Sequence, residues 1–176
     1  NKSITYLSLP NLGDHSLYAL SKSSADRFAQ MYLNFRGLDI SIIRLFNCYG
    51  EQQDVYSGKL IINSIYKSLK NSDISINGDG SNKLNLIYID DAIKCLTKSI
   101  INHKKGIYYI GSNLEISVKE IVSKIIEVTN SKSKILYTKN RVGEVESNLV
   151  MKNDFKRIEI EEYIDFRKSI SLMLNN

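Results

Sequence analysis

The sequence has no tryptophan, one proline and two cysteines among its 176 residues. With so little proline, long disordered linkers are not expected. Cys48 and Cys95 are far apart in sequence and fall in apolar segments, which predicts two buried free thiols and a reducing compartment such as the cytoplasm. No apolar run reaches the roughly 20 residues that a membrane-spanning helix needs, and the start shows no secretory signal pattern. These absences favour a cytoplasmic globular protein with no membrane partner.

Charge and metal-ligand types also exclude some functions. The formal net charge is +5, but the basic residues are scattered, and no strand interleaves them with aromatic residues. A nucleic-acid partner is therefore not expected. His15 and His103 have no cysteine or carboxylate cluster at ligand spacing, so no metal site is predicted. The chain begins at Asn1 without an initiator methionine, as a fragment would.

Helical and strand patterns alternate along the chain. Residues 1–15 are predicted to be a loop. A helix is predicted from about Ser16 to Arg36, with Ser16 as a plausible N-cap and Gly37 just past its end. Its predicted buried stripe consists of the apolar residues Leu17, Leu20, Ala25, Phe28, Ala29, Tyr32 and Phe35. Residues 39–46 form a short segment that is rich in β-branched residues and apolar on both faces, which predicts a buried parallel strand.

The second half continues the alternation. The patterns predict strands over residues 74–76, 84–89, 107–110 and 134–137, and helices near 60–69, 90–100 and 117–129. Asp90 or Asp91 is expected to cap a helix rather than form a catalytic pair, and Ser117 and Glu120 to form a capping box. Two short helices are predicted around Phe155, Tyr163, Phe166, Ile170 and Met173 in the tail. The alternation predicts an α/β fold with a mostly parallel sheet, whose ligands lie at the carboxyl ends of the strands.

Tyr18 and Lys22 are the first candidates for chemistry. Residues four apart lie one turn apart on one helix face. A lysine ammonium beside a phenol favours the phenolate, so the tyrosine can act as an acid or base nearer neutral pH. An ordinary helix with an exposed lysine would show the same spacing, so the pair alone is a weak signal.

Several short motifs follow this pair in a fixed order. They are Tyr18-Ala-Leu-Ser-Lys22, Arg44-Leu-Phe-Asn-Cys-Tyr-Gly50, Gly78-Asp-Gly80, Leu86-Ile-Tyr-Ile-Asp-Asp91, Tyr109-Ile-Gly-Ser112 and Arg141-Val-Gly-Glu144. From about Leu17 to Glu144, the ordered set resembles the C-terminal half of the extended short-chain dehydrogenase/reductase family. It is most similar to the NAD-dependent nucleotide-sugar epimerases and dehydratases.

The resemblance implies roles for individual residues. Tyr18 would exchange a proton with a sugar hydroxyl, and Lys22 would bond the nicotinamide ribose and favour the phenolate. Asn47 would contact the nucleotide-sugar, Leu60 would lie near the nucleotide base, and Arg141 would bind the diphosphate with its guanidinium fork. From the residues alone, Asn47 can also be a strand-end turn residue and Arg141 a solvated loop charge.

The resemblance also implies an architecture and partners. It predicts a partial Rossmann-like parallel sheet, with its N-terminal half missing, over residues 1–49 and 86–111. A small α/β substrate-binding domain would cover residues 50–85 and 112–176. The complete enzyme would use NAD (or NADP) and a nucleotide-diphosphate sugar, pass through a keto-sugar intermediate, and serve polysaccharide biosynthesis. A homodimer would form through the Tyr-bearing helix.

Three departures from the family pattern qualify this expectation. The glycine-rich turn that cradles the dinucleotide pyrophosphate is absent, so the cofactor site of this chain is incomplete. The family's catalytic serine or threonine would fall before Asn1. Leu84-Asn85 stands where the family usually has Arg-Asp, and the neighbouring Lys83 should face the other side of its strand. The alternative is thus a non-catalytic nucleotide-sugar binding or interaction module from a truncated or decayed enzyme. An exposed sheet edge and apolar face should make the isolated chain self-associate.

Overall fold

The computed structural model describes residues 4–8, 17–102, 105–139 and 156–175, and only the backbone of residues 4–8. Strands and helices alternate through these residues, in agreement with the predicted α/β class. In chain order the elements are β1 (Ile4–Ser8), α1 (Leu17–Phe35), β2 (Ile40–Leu45), β3 (Asn47–Tyr49), α2 (Leu60–Leu69), β4 (Ile74–Asn77), β5 (Lys83–Tyr88), α3 (Ile89–Ile101), β6 (Gly106–Ile110), β7 (Glu115–Ser117), α4 (Val118–Val128), β8 (Ile135–Thr138) and α5 (Phe166–Leu174).

Strands β1, β2 and β6 form a parallel sheet in the order β1-β2-β6. The middle strand, β2, is rich in isoleucine, and Ile42 and Ile43 are fully buried on its two faces. This burial confirms the prediction of a strand that is covered on both sides. Within the described ranges β1 pairs only with β2, so it is an edge of this sheet.

The chain passes from the first sheet to a second one at Phe46. The N–H of Phe46 still donates to the carbonyl of Ile110, at 2.9 Å, and β3 begins at the next residue. The second sheet has the order β3-β5-β7, with β3 parallel and β7 antiparallel to β5. Strands β4 and β8 form a separate parallel pair.

Buried apolar side chains form three clusters. The α4 cluster joins α2, α4 and α5 to the second sheet and consists of Tyr49, Ile61, Ile65, Leu86, Tyr88, Ile116, Ile121, Ile125, Phe166 and Ile170. The α3 cluster consists of Ile43, Ile87, Ala92, Cys95, Tyr108, Ile110 and Ile158. The smallest, the β4 cluster, consists of Ile74, Ile76 and Val122. Of the helices given above, α1 alone contributes no residue to these clusters.

Two predictions for the N-terminal part are wrong. Residues 4–8 are not part of a loop, because they pair in parallel with β2. The predicted apolar stripe of α1 is not buried either: Leu17, Phe28 and Phe35 are 87%, 64% and 80% exposed. The residues that α1 buries are Ser23 and Asp26. Helical spacing identified the helix correctly but assigned its apolar face to the wrong environment.

Two further predictions differ from the structure in the C-terminal part. Described residues 156–175 contain one helix, α5, rather than two, and Phe155 lies outside these residues. Ahead of α5 the chain is extended and inserts Ile158 into the α3 cluster. The N-cap of α3 is Tyr88, not an aspartate. Asp91 instead accepts hydrogen bonds from Lys94 Nζ at 3.1 Å and from the N–H of Ile164 at 2.7 Å, and so holds the tail.

Other local predictions are confirmed. Ser117 and Glu120 form a reciprocal capping box at the start of α4. Cys95 is a buried free thiol as predicted, whereas Cys48 is free but only half-buried. Gly37, just beyond α1, has a φ of +62°, which suits glycine at a helix C-terminus. Among the described helices, none combines the length and apolar character that crossing a membrane requires.

Candidate functional site

Tyr18 and Lys22 lie on one face of the first turns of α1, as their spacing predicts. Lys22 Nζ is 5.9 Å from the centroid of the Tyr18 ring. Tyr18 is 61% exposed, and Lys22 is half-buried. The phenol is therefore accessible to another molecule while the ammonium stays beside it.

The topology places this pair at the carboxyl edge of the first sheet. Since β1 and β2 are parallel neighbours, α1 must run back between them, and its N-terminus lies where the strands end. Tyr18 precedes Asp26 by about 12 Å of helix, and Asn47 follows Arg44 by about 10 Å of extended chain. Asp26 and Arg44 are in direct contact. Tyr18 and Asn47 therefore project to similar heights beyond the edge of the sheet.

The contact between Asp26 and Arg44 is a buried ion pair. Arg44 Nη2 donates to Asp26 Oδ2 at 2.9 Å, and the two side chains are 11% and 0% exposed. Gln30 Nε2 donates to the same oxygen at 2.6 Å, and Arg44 Nη1 donates to the hydroxyl of Tyr109 on β6. Burial acts to lower the pKa of Arg44, but the hydrogen bonds to Asp26 and Tyr109 raise it overall. The guanidinium therefore stays charged.

Asn47 ties the second sheet together. Its Nδ2 donates to the carbonyl of Asn85 at 3.0 Å, and Asn85 Nδ2 donates in turn to the carbonyl of Ser112 at 2.7 Å. Asn85 lies so close to Gly111 that a Cβ at that glycine would collide with its amide oxygen. This packing explains the glycine after β6. Asn47 is not a turn residue at the end of a strand, because it begins β3 and pairs with Leu86 of β5. The contact with a nucleotide-sugar stays a prediction.

Of the other two predicted substrate residues, the structure describes Leu60 but not Arg141. Leu60 begins α2, and its side chain is half-buried against both the α4 and β4 clusters. Arg141 lies outside the described residues, so its predicted role stays a prediction. Leu84 packs against the α4 cluster, while Lys83 is exposed, in keeping with the predicted opposite faces of β5. In the described ranges no group of three histidine, cysteine or carboxylate side chains could hold a metal ion.

A cleft of about 250 Å³ lies between the second sheet and the tail rather than beside α1. Its lining includes Tyr49, Tyr88 and Asp91. The polar groups of these residues are already engaged: the Tyr49 hydroxyl bonds Ser169 at 2.6 Å, and Tyr88 donates to Glu51. Burial and the bond to Glu51 raise the pKa of Tyr88. The polar groups of this cleft therefore hold the tail through hydrogen bonds.

Sequence reasoning missed two features of the site. The buried pair was recognisable as an acid one helical turn after Lys22 and a lone arginine inside an apolar strand. Strand β1 was not predicted because it is short. It ends at Ser8, which pairs with Arg44 of β2. A hydroxyl residue thus stands at the carboxyl end of the strand that precedes the Tyr-bearing helix.

A parallel sheet with a Tyr-x-x-x-Lys helix at its carboxyl edge defines a Rossmann-like α/β protein of the extended short-chain dehydrogenase/reductase class. The chain belongs to the NAD dependent epimerase/dehydratase family, whose profile matches residues 3–111. This match confirms the family that the ordered motifs indicated.

Individual relatives agree with this assignment. The chain is 32% identical over 165 residues to a putative UDP-glucose 4-epimerase of Methanocaldococcus jannaschii, covering 91% of this chain and 52% of that protein. It is 34% identical over 113 residues to dTDP-D-glucose 4,6-dehydratase of Dictyostelium discoideum, covering 64% of this chain and 26% of that protein. The chain thus spans about half, or less, of the length of these relatives.

Solved structures show the same fold. UDP-glucuronic acid 4-epimerase from Bacillus cereus, in complex with UDP-glucuronic acid and NAD, superposes with a TM-score of 0.82. The superposition covers 98% of this chain and 60% of that chain at 18% identity. At this level of identity the likeness shows the fold rather than a shared substrate.

Proposed function

We propose that this chain forms the tyrosine-bearing and substrate-binding part of an NAD-dependent nucleotide-sugar epimerase or dehydratase. The observation that carries the proposal is the Tyr18–Lys22 pair, exposed on one helix face at the carboxyl edge of a parallel sheet. Ligands of such sheets bind at that edge. Residues 1–49 and 86–111 would belong to the cofactor domain, and residues 50–85 and 112–176 to the substrate domain.

The residues present fit one end of NAD (or NADP). A phenol and an ammonium on one accessible face suit the nicotinamide and its ribose, which Tyr18 and Lys22 would hold. The described strands lead into no glycine-rich turn, and the glycine after β6 is explained by packing against Asn85. The pyrophosphate would therefore be bound by another part of the complete protein.

In the proposed reaction a sugar hydroxyl is oxidised to a ketone. NAD, when bound, supplies the hydride acceptor. Tyr18, as the phenolate, takes the hydroxyl proton while hydride leaves the carbon, so the C–H and O–H bonds break as the C=O bond forms. Lys22 stabilises the phenolate electrostatically. Return of the hydride to the keto sugar would give an epimer, and loss of water from the keto sugar before the hydride returns would give a dehydrated sugar.

Substrate binding would use the edge around Asn47. The amide of Asn47 is fixed by its bond to the carbonyl of Asn85, which would present it in one orientation. Leu60 would contribute through the start of α2 near the nucleotide base, and Arg141 would bind the diphosphate.

Replacing Tyr18 by phenylalanine tests the central role. With a dinucleotide-binding half present, turnover should fall by about 10²–10⁴-fold, the usual contribution of an acid/base group. The Kd of the nucleotide-sugar should stay within about twofold. Tyr32→Phe is the matched control, because Tyr32 is also exposed on α1 but lies about 21 Å further along the helix than Tyr18. Undiminished turnover in Tyr18→Phe would remove the proposed role.

A homodimer through α1 is part of the proposal. The outward face of α1 carries large exposed apolar side chains: Leu17, Leu20, Phe28, Met31, Tyr32 and Phe35. We name these six residues the α1 stripe. Exposed apolar surface of this kind is typical of interfaces between proteins. Two copies of α1 with a neighbouring helix from each chain would cover it as a four-helix bundle.

A nucleotide-sugar binding module without catalysis is the second candidate. The position of Leu84 favours it, because the side chain is packed in the α4 cluster and supplies no cation for a phosphate. Calorimetry with NAD and with UDP-, GDP- and dTDP-sugars separates the two. Binding of a sugar nucleotide without turnover when the other half is supplied would favour the binding module.

A further inference from the structure

Helix α1 carries the proposed acid/base pair, and it is attached to the fold without a fully buried apolar side chain. It contributes no side chain to the three buried clusters, and most of its large apolar residues are exposed, while Leu33 is half-buried. The described side chains that α1 buries are polar, Ser23 and Asp26. Asp26 makes the ion pair with Arg44 that joins the helix to the middle strand of the first sheet.

We propose that the Asp26–Arg44 ion pair fixes the position of α1 on the sheet and makes Asp26 a positioning residue for Tyr18 and Lys22. This inference rests on the proposed function. Lys22 is one helical turn from Asp26, and Tyr18 is one turn further. The three side chains lie along one flank of the helix. A shift or rotation of α1 at Asp26 therefore moves the phenol relative to the edge of the sheet.

The pair restricts both sliding and rotation of the helix. Arg44 is held from a second side, since Nη1 donates to the Tyr109 hydroxyl and its guanidinium lies 5.4 Å from the centre of that ring. Asp26 is held within its own helix by Gln30. The contact thus joins α1, β2 and β6 at one point. A guanidinium with two hydrogen-bond partners, Asp26 and Tyr109, is more directional than apolar packing, which tolerates small shifts.

The energetics of the pair agree with a positioning role better than with a stabilising one. Asp26 Oδ1 and Arg44 Nε are buried and have no hydrogen-bond partner among the described residues. Two desolvated charges with unused polar atoms contribute little net stability. Misplacing a reacting group by about 1 Å, in contrast, can lower turnover about 100-fold.

Amide hydrogen exchange tests whether the ion pair holds α1 on the sheet, and it does not require enzymatic turnover. In Asp26→Asn, a neutral variant of nearly the same shape, the protection of amides in α1 should fall at least about tenfold. Amides of α4 in the same sample should keep their protection, because α4 is held by the apolar core. Arg167→Met is the matched control. It breaks a bidentate arginine–carboxylate pair with Glu127 that is exposed and joins α4 to α5, so α1 should be unaffected.

Kinetics of the complete protein test the consequence for the reaction. Asp26→Asn should lower kcat about tenfold or more while KM for the nucleotide-sugar stays within about twofold, and Arg44→Lys should fall between wild type and Arg44→Met. Unchanged α1 protection, equal loss of protection in α1 and α4, or an unchanged kcat would each overturn the proposal. Absence of turnover in the unsubstituted protein would overturn the proposed function instead, and the exchange result would still decide whether the pair holds the helix.

Discussion

Helices α1 and α4 join the rest of the molecule in opposite ways. α4 begins at the capping box of Ser117 and Glu120 and buries Ile121, Val122 and Ile125 completely. α1 has 19 residues against the 11 of α4, yet it buries only Ser23 and Asp26. Both helices show apolar residues at helical spacing. The spacing therefore identifies a helix, but it does not say whether the apolar face packs inside the same chain or on another surface.

The two kinds of attachment suit different tasks. Burying three branched side chains makes α4 a main contributor to stability, at about 1.5–3 kcal/mol for each fully buried side chain. The ion pair that holds α1 has little net stability of its own, because both charges lose their water. Elements that bind ligands are often drawn from the less stable parts of a fold. The proposed acid/base pair lies on α1, the helix whose buried side chains are polar.

Removing a buried side chain from α4 is expected to give the largest change in stability. Ile125→Ala should lower the free energy of unfolding by about 3 kcal/mol, because it leaves a cavity in the α4 cluster. Urea unfolding followed by circular dichroism measures the change. Ile93→Ala is the control, since Ile93 lies on α3 and is 51% exposed, and it should stay within about 0.5 kcal/mol of wild type. Equal effects of the two substitutions would contradict the assigned core.

Much of the α4 region was predictable from the sequence. The pattern of α4, its capping box and the strands around it depend on local spacing and on burial within the same chain. Tyr18 and Lys22 were also placed correctly, because residues four apart share a helix face regardless of what surrounds them. Local rules of this kind need no knowledge of the tertiary contacts.

The features that were not predicted depend on contacts between distant parts of the chain. The Asp26–Arg44 pair joins a helix to a strand 18 residues later, and hydrophobic periodicity does not reveal such a polar contact. The outward face of α1 was missed because an exposed apolar stripe has the same spacing as one that packs against a core. The edge strand β1 was missed because its pairing with β2 is what makes it a strand.

Disrupting the α1 stripe tests whether the outward face of α1 is an interface. Phe28→Glu places a charge at its centre and should weaken self-association at least about tenfold, because an unpaired charge would be buried in the interface. Sedimentation over a range of protein concentrations measures the change. Asn34→Glu adds the same charge at an exposed position of α1 outside the stripe and should leave association unchanged. A monomeric wild-type chain, or equal effects of both substitutions, would contradict an interface on this face.

The start of α4 offers the most local test. Ser117→Ala removes the side chain that accepts from the N–H of Glu120 and should cost about 1 kcal/mol of unfolding free energy. Ser123→Ala makes the same substitution at an exposed position inside α4, where alanine is the better helix former, and should be neutral or slightly stabilising. Denaturant unfolding of both variants measures the difference.

The pH dependence of the stability difference between wild type and Ser117→Ala tests the hydrogen bonds that Glu120 accepts from Ser117. Hydrogen bonds from the Ser117 hydroxyl and N–H lower the pKa of Glu120 below its ordinary value of 4.5. A carboxyl group with a lowered pKa stabilises the fold while it is ionised, and this contribution is lost as the pH falls below 4.5 through the folded-state pKa. The stability gap between wild type and Ser117→Ala should therefore be constant near neutral pH and shrink in acid. A gap that widens below that pH would mean that Glu120 does not act through Ser117.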